Sequence, residues 1–506
     1  MAATKYAAIS LLAAPTEHLH IRMGAPTKHV ANPLFSQDLP WESPPGRIDN
    51  GYPNVVPPAD VRHGGHTYFQ LWYGTLAYDG TRHRQLLCYA VSKDGIHWEK
   101  PELGIFDLDS AGIPPLAGFG KANNIIVEGG GIGVYRDPHD PDPARRYKAI
   151  GPGCWLSPTL ALNGGHCGDI GAIAPPSDVK DDMAPQTHRF VGQIVSSADG
   201  LTWPHVLNVS WPPPQKWDTH SNVFFDERSQ RYVATTRNIP VESTGVERET
   251  SLTRSMGDQY AFDTSEAPHV IVRGSQAHQI YAQITWPWLN IYLGLDMVFD
   301  TETPTGKVHC RLMHAPVPEG PWRAVEGKDI LDAPDFLPLG APSDFDSHII
   351  FAAAMPFRHG DSEWLYYMGG DGPHSGARNS SFALATLRPD GFASVRGRGI
   401  FRTPSLVVTG AMLTATVDFS MGGGRSALRV GVLPDGSSEP PFALSLNNSV
   451  PLIDNATDAQ MHFEGGCGGP DLTPLLGKRV QLEVSLEGDA LLYSLGFAPR
   501  EDAAEC

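Results

Sequence analysis

Apolar and aromatic residues run in short stretches along this chain, each closed by a cluster of Gly, Pro, Asn or Asp, and the stretches come in pairs. An apolar strand meets a polar turn and then an aromatic strand in NVVPPADVRHGGHTYFQLWYG, GVYRDPHDPDPARRYKAIG, NVFFDERSQRYVATTRN, QIYAQITWPWLNIYLGLDM and HIIFAAAMPFRHGDSEWLYYMGG, which makes five hairpins. A phrase also recurs: SKDGIHW (Ser92–Trp98), SADGLTW (Ser197–Trp203) and a degenerate APVPEGPW (Ala315–Trp322), each a strand ending in a turn and then a Trp. A hairpin followed by a second strand pair, at intervals of roughly 55–90 residues, is the unit of a propeller blade. The predicted blades lie near 49–105, 125–210, 218–275, 278–335 and 344–403. DG turns arise by chance in β-sandwiches too, but five aligned hairpins favour the propeller.

Past Arg402 the pattern shifts to shorter alternating strands, LRVGVLP, FALSLN and VQLEVSLEGDALLYSLGF, separated by polar turns, which suits a two-sheet sandwich. The expectation is therefore an all-β protein. A five-bladed β-propeller with an N-terminal extension spans 1–403, and a C-terminal β-sandwich over 404–506 buttresses it.

Composition narrows the partners. At 506 residues the chain is longer than a single core usually grows, about 250–300 residues. Its 53 Gly and 45 Pro sit in short clusters between apolar runs, as turns require, and not in one disordered tract. The 38 basic against 56 acidic side chains give a formal charge of −18, which repels polyphosphate backbones and anionic membrane surfaces. Nucleic acid and membranes are not expected partners. Six cysteines without a CxxC pair carry no zinc signature, and the spacing offers one local disulfide, Cys154–Cys167. The opening MAATKYAAISLLAAPTEHLHIRM has an apolar stretch too short to span a bilayer and weak as a signal peptide. The sequons at Asn208, Asn379, Asn447 and Asn455 are near chance, so compartment and oligomeric state stay open.

Polar residues placed just before each innermost propeller strand converge on one funnel. Aligning the hairpins nominates Asp49 and Asn50 from blade 1, Glu128 from blade 2, and Asp218, His220 and Asn222 from blade 3. Blade 4 adds His278 and Gln279, and blade 5 adds Asp344, Asp346 and His348. A ring of carboxylates with neighbouring His and Asn is what glycosidic cleavage needs: one group attacks or activates water, another protonates the leaving oxygen, and others hold hydroxyls. The plainer reading of any single Asp here is a turn cap.

PWESPPGRIDNGYPNVV, SKDGIHWEKPELG, FDSHIIFAAAMPF and the DGFAS turn at Asp390–Ser394 resemble the five-bladed propellers of glycoside hydrolase family 32 and the related family 43, with a sandwich behind them. The resemblance implies a nucleophilic Asp in a WMNDPNG-like motif on blade 1, a stabilising Asp in an RDP motif and a Glu acid in an EC motif. Asp49 in IDNGYPN matches the position and the Asp alone. Arg136-Asp137-Pro138 reads RDP, yet aligning its hairpin with that of blade 3 sets Asp137 beside Asp226 in an outer turn. The sole EC is Glu505-Cys506, which leaves the acid role to Asp218 or, less favoured, Asp346.

Long loops open on the same mouth. The stretch 151–188, with Trp155, Asn163, His166 and Asp169, reads as a lid or as disorder. Asp371, His374 and Arg378 from blade 5, and Arg237, Glu247, Arg248 and Glu249 from blade 3, can reach a substrate, although single charges on loops are commonly solvated. Trp41, Trp72, Trp217, Trp286 and Trp288 are candidates for a sugar-stacking platform or for core. No P-loop, strand-linked GxGxxG or GxSxG is present, against nucleotide hydrolysis, dinucleotide redox chemistry and serine esterase action.

The sequence thus points to a glycosidase-like protein for furanoside or related linkages. Asp49 is the nucleophile or base, Asp218 the acid and Asp346 a third catalytic carboxylate, while Asn50, His220, Asn222, His278, Gln279, Asp344, His374 and Arg378 bind substrate. No cofactor or catalytic metal is expected, with a structural Ca²⁺ in the channel as an open option. Two rivals remain: a non-catalytic carbohydrate-binding propeller, and a metal-dependent lyase or isomerase using Asp218, His220, His278 and Asp346.

Overall fold

The computed structural model describes residues 3–14, 17–59, 67–80, 83–151, 192–209, 220–238, 248–263, 268–302, 306–374, 378–420, 426–437, 440–464 and 472–500. Its antiparallel sheets form five blades. The first pairs Asn54–Val56, Phe69–Tyr78 and His83–Ser92, with the outer position shared by Trp98–Glu99 and Ile125–Glu128. The second runs Gly133–Arg136, Tyr147–Gly151, Gly192–Ser197, His205–Val209, and the third Asn222–Asp226, Arg231–Asn238, Glu249–Arg254, His269–Arg273. The fourth is His278–Trp288, Ile291–Asp300, Val308–Ala315 and Arg323–Ala324. The fifth takes Ile349–Ala352, Ser362–Gly370 and Ser380–Leu387, and its outer strand, Thr27–Lys28, comes from near the N-terminus. That early strand clasps the last blade, and the Ala354 N–H donates to Pro53 O (2.9 Å), joining blade 5 to blade 1 and closing the ring.

The recurring SxDG phrase is the device that docks one blade on the next. Ser92 Oγ accepts from the Gly95 N–H (2.8 Å) while Asp94 Oδ1 accepts from Ile96 and His97 N–H (2.8 Å each), and Ser197 and Asp199 repeat the arrangement. The folded turn then offers its glycine carbonyl to an aromatic donor of the preceding blade: Tyr366 Oη to Gly95 O (2.9 Å) and Trp72 Nε1 to Gly200 O (2.8 Å). Both glycines hold φ of +77°, and a Cβ on Gly200 would stand 2.6 Å from Trp72. Gly200→Ala is expected to cost about 1–3 kcal/mol, read by denaturant unfolding. An outer-turn Asp supplies a second tie, with Asp137 accepting from Tyr232 Oη (2.5 Å) and Asp226 from Tyr292 Oη (2.7 Å). Asp137 thus serves an interblade contact from the outer turn in which its alignment with Asp226 sets it.

The second module is organised on one long strand, Arg479–Ala498, which turns at Gly488 (φ +73°). Its first half pairs with Ala427–Pro434 and its second half with Met412–Asp418, so a single strand serves both layers of a sandwich. Alternate burial along 479–486 puts Val480, Leu482, Val484 and Leu486 into the core with Leu413, Leu428, Val430 and Leu495. Strand pairing departs from the expected division at 403. Thr4–Ala7 and Leu19–Met23 join this sheet, as does Ala393–Arg402, and Leu11, Leu12 and Leu19 lie in its core. Of the opening apolar residues, Ala8, Leu11 and Leu12 are therefore sandwich core, while Ala7 and Ile9 pack into the propeller core. Among the described residues no helix is long and apolar enough to cross a membrane.

Candidate functional site

The turn that carries Asp49 is fixed by backbone that most residues avoid. Gly51 (φ +68°) and Tyr52 (φ +41°) adopt left-handed conformations, the Tyr52 N–H donates to Asn50 O (2.7 Å), and a Cβ on Gly51 would meet Met368. Such conformations persist only when the surroundings over-determine them. Here they set Asp49 and Asn50 at the head of the inner strand of blade 1. Asn54, on that strand, donates to Ile132 O (2.8 Å) and accepts from the Val134 N–H (3.0 Å), stitching the inner strands of blades 1 and 2 together.

Asp49 is gripped by two guanidinium groups, Arg378 Nη2 at 2.7 Å and Arg47 Nε at 3.1 Å. Arg378, whose side chain is wholly buried, also donates to Asn50 Oδ1 (2.8 Å), and Asn50 Nδ2 donates in turn to Tyr52 Oη (2.7 Å). The Tyr52 ring lies 5.3 Å from that of His220. His220 is buried with no hydrogen-bond partner on either ring nitrogen among the described residues, and burial pulls its pKa down to about 3, so the ring is neutral. Asn222 is likewise buried with neither amide atom bonded. Native interiors rarely leave such groups unsatisfied.

Across the funnel Tyr281 is displaced by a register shift between Ile280 and Ala282. The Arg237 guanidinium lies 4.0 Å from its ring centroid, that of Arg248 4.8 Å, and the His374 ring 4.8 Å. Arg248 also donates to Gln279 Oε1 and lies over Phe299. Burial, reinforced by Arg378 and the other two arginines against Asp49, pushes His374 down to about 3. Glu249 accepts from Asn238 (2.9 Å) and pairs with Arg273 (3.1 Å).

Of the residues nominated from sequence, Asp49, Asn50, His220, Gln279, His374 and Arg378 come together in this network, with Asn222 beside His220 on the inner strand of blade 3. Asp218, Trp217, Glu247, the Cys154–Cys167 pair and the 151–188 loop apart from Gly151 lie outside the described residues. Asp346 departs from its expected role: it is buried, accepts from Tyr367 Oη (2.9 Å) and pairs with Lys28 of the clasping strand (2.6 Å), pinning the closure. Asp344 is exposed and caps its own turn at the Ala341 N–H (2.8 Å). His278 heads the inner strand of blade 4, its N–H donating to Ser275 Oγ (3.0 Å). Glu128 sits on the outer strand of blade 1 in a buried pair with Arg84, and Asp371 caps Asn379. Trp41, Trp72, Trp286 and Trp288 are core. The funnel aromatics are instead Tyr52, Tyr281 and Phe299, which look like ordinary strand residues in sequence. Among the described residues no three His, Cys, Asp or Glu side chains meet in metal-binding range, and the metal-dependent rival also calls on Asp218, which lies outside them.

One buried carboxyl escaped the sequence altogether. Asp296, on the second strand of blade 4, stands opposite Gln283 and Arg311, fully buried, with neither oxygen hydrogen-bonded among the described residues. Arg311 turns away to the carbonyls of Ile330 and Leu331. Burial raises the Asp296 pKa well above the carboxylate range, partly opposed by Arg311. A raised folded pKa contributes stability that is complete below the unfolded value, about 3.9, and is lost as pH climbs toward the folded one. Asp296→Asn does not titrate. Its melting temperature is expected to exceed the wild type's at pH 8, the gap closing toward pH ~4.

No family model and no curated protein matches this chain. Among solved structures it is similar to an N-acetylgalactosamine deacetylase from F. plautii in complex with blood group B trisaccharide (11% identity over 73% of this chain and 96% of that one, TM-score 0.41). It is similar also to a thermostable family-43 glycoside hydrolase (13%, 68% and 92%, 0.39) and to an endo-arabinase from Bacteroides thetaiotaomicron (11%, 70% and 98%, 0.38). The superpositions are loose, every TM-score lying below one half.

Proposed function

We propose that the propeller funnel binds a sugar and cleaves its glycosidic bond with a carboxylate pair, Asp49 as nucleophile or general base and Asp218 as general acid. The observation that carries the reading is Asp49 itself. It sits at the head of the innermost strand of blade 1, held by Arg47 and Arg378, and is linked through Asn50 and Tyr52 to the unpartnered His220. Carboxylate attack or activated water supplies the bond to the anomeric carbon, and the acid delivers its proton to the departing oxygen. His220 and Asn222 offer neutral donors and acceptors to hydroxyl groups. Retention would require the two carboxyls about 5–5.5 Å apart and inversion about 6.5–9.5 Å.

The test is release of reducing sugar or aryl leaving group from fructans, arabinans and aryl glycosides, by the wild type and by Asp218→Asn. Loss of turnover in the variant with folding intact supports the pair. One observation favours a second reading, a propeller that binds sugar without cleaving it: Asp49 is already engaged by two arginines, and the described part of the funnel holds more guanidinium groups than carboxylates. Saccharide binding with no turnover across the panel would select that reading.

A further inference from the structure

Unsatisfied polar atoms gather at one seam of the ring. The two inner strands of blade 4, His278–Trp288 and Ile291–Asp300, turn one face toward blade 3, where the Thr235 hydroxyl reaches Gln283 O (3.4 Å) and Tyr292 packs with Val233 and Leu252. On that face Gln283 stands opposite Asp296, and Thr285, two residues on, stands opposite Gly294. The amide of Gln283, the carboxyl of Asp296 and the hydroxyl of Thr285 are buried with no hydrogen-bond partner among the described residues. The Gln283 amide lies across Gly294, where a Cβ would stand 2.5 Å from Nε2, so the glycine makes room for it. Blade 3 adds Thr250, which pairs across its sheet with Arg237 on the side that meets Tyr281 of blade 4, and its hydroxyl is buried and unpartnered in the same sense. Carbon seals the group: Val272, Val298 and Met313 pack on one side, Leu252 and Tyr292 on the other, and Trp322 touches both clusters.

Isolated orphans of this kind are rare inside proteins, and here four side chains adjoin. What they have in common is oxygen: a carboxylate, an amide carbonyl and two hydroxyls. Hard oxygen donors around a single carboxylate suit a cation of low charge, whereas divalent ions draw on several carboxylates. Arg311, opposite Asp296, is turned elsewhere, its Nη1 donating to Ile330 O and Leu331 O and its Nε leaning toward Asp335 (3.8 Å). We infer that a monovalent metal cation, sodium or potassium, binds between blades 3 and 4, held by Asp296, Gln283 Oε1, Thr285 Oγ1 and Thr250 Oγ1. The ion ties the two blades together at this seam and takes no part in chemistry on a sugar, so the site stands apart from the reading of the funnel.

Thermal unfolding of the full chain tests this at pH 8 and constant ionic strength, with sodium or potassium chloride replacing choline chloride. The wild type's melting temperature is expected to climb by at least about 2 °C between about 1 and 100 mM of the preferred ion and then to level off. Comparing the two alkali ions shows which one is native. Asp296→Asn should lose the rise altogether. In choline it keeps the higher melting temperature expected of it above, so a folded variant reports on the site. Thr285→Val removes one oxygen from the set and should raise the concentration needed for half the effect about ten-fold. Equal melting temperatures in sodium, potassium and choline would overturn the inference and leave enclosed water as the occupant. A rise of the same size in Asp296→Asn would also overturn it, by placing the ion elsewhere. A response to micromolar calcium with none to the alkali ions would overturn the monovalent assignment.

Discussion

Asp49→Asn is expected to lower kcat on any glycoside the funnel cleaves by about a thousand-fold or more while leaving KM within a few-fold. The amide is nearly isosteric with the carboxylate and still accepts from Arg378 and Arg47 through its oxygen, so the pocket's shape survives. What vanishes is the negative charge that, in the proposed mechanism, attacks the anomeric carbon or takes a proton from water, a role filled only as the transition state forms. A second role must be separated from this one, because Asp49 also anchors the buried Arg378 at 2.7 Å. If anchoring were its whole contribution, the substitution would raise KM and lower the melting temperature together, with kcat scarcely moved. A split between kcat and KM therefore reports which role Asp49 plays. Steady-state kinetics with thermal unfolding on the same preparation distinguishes them.

The architecture was legible because it is written in short-range signals. The SxDG turns, the hairpins and the alternation along 479–486 are each local, and their spacing carries the blade count. Strand exchange was not legible. Nothing near Thr27–Lys28 announces that it completes the fifth blade, or that Thr4–Ala7 pairs with residues 494–497, since those pairings span most of the chain. The site divides in the same way. Asp49, Asn50 and His220 follow from their position before an inner strand. Arg237 and Arg248 were nominated only as single loop charges, and their meeting on Tyr281 depends on two blades facing each other, while Asp346 passed the positional test yet is consumed by Lys28 and Tyr367. Convergence on a channel nominates residues by backbone position; which way each side chain is satisfied depends on partners hundreds of residues away.

That dependence is sharpest at Glu42, in the PWES segment that leads into blade 1. Glu42 is fully buried, pairs with Lys100 (2.7 Å) and accepts from Tyr73 Oη (2.5 Å) and from the Asp38 and Leu39 N–H groups (3.3 Å each). Burial raises its pKa, and Lys100, itself nearly buried and lying over Phe35, pulls the other way. The upward balance means that desolvation outweighs the attraction, as expected for a buried pair. Such a pair adds little net stability, but removing Glu42 leaves Lys100 with only the exposed Asp38 as counter-charge and takes the acceptor from the buried Tyr73 hydroxyl. Glu42→Ala is therefore expected to cost about 3–5 kcal/mol, a large share of the roughly 5–15 kcal/mol that holds a domain folded. Replacing both partners, Glu42→Leu with Lys100→Met, should recover most of that loss, because neither charge is then left buried alone. Denaturant unfolding of wild type, single and double variants measures the coupling. A double variant as unstable as Glu42→Ala would show that the four hydrogen-bonding partners of Glu42, rather than its charge, hold the N-terminal segment against the first blade.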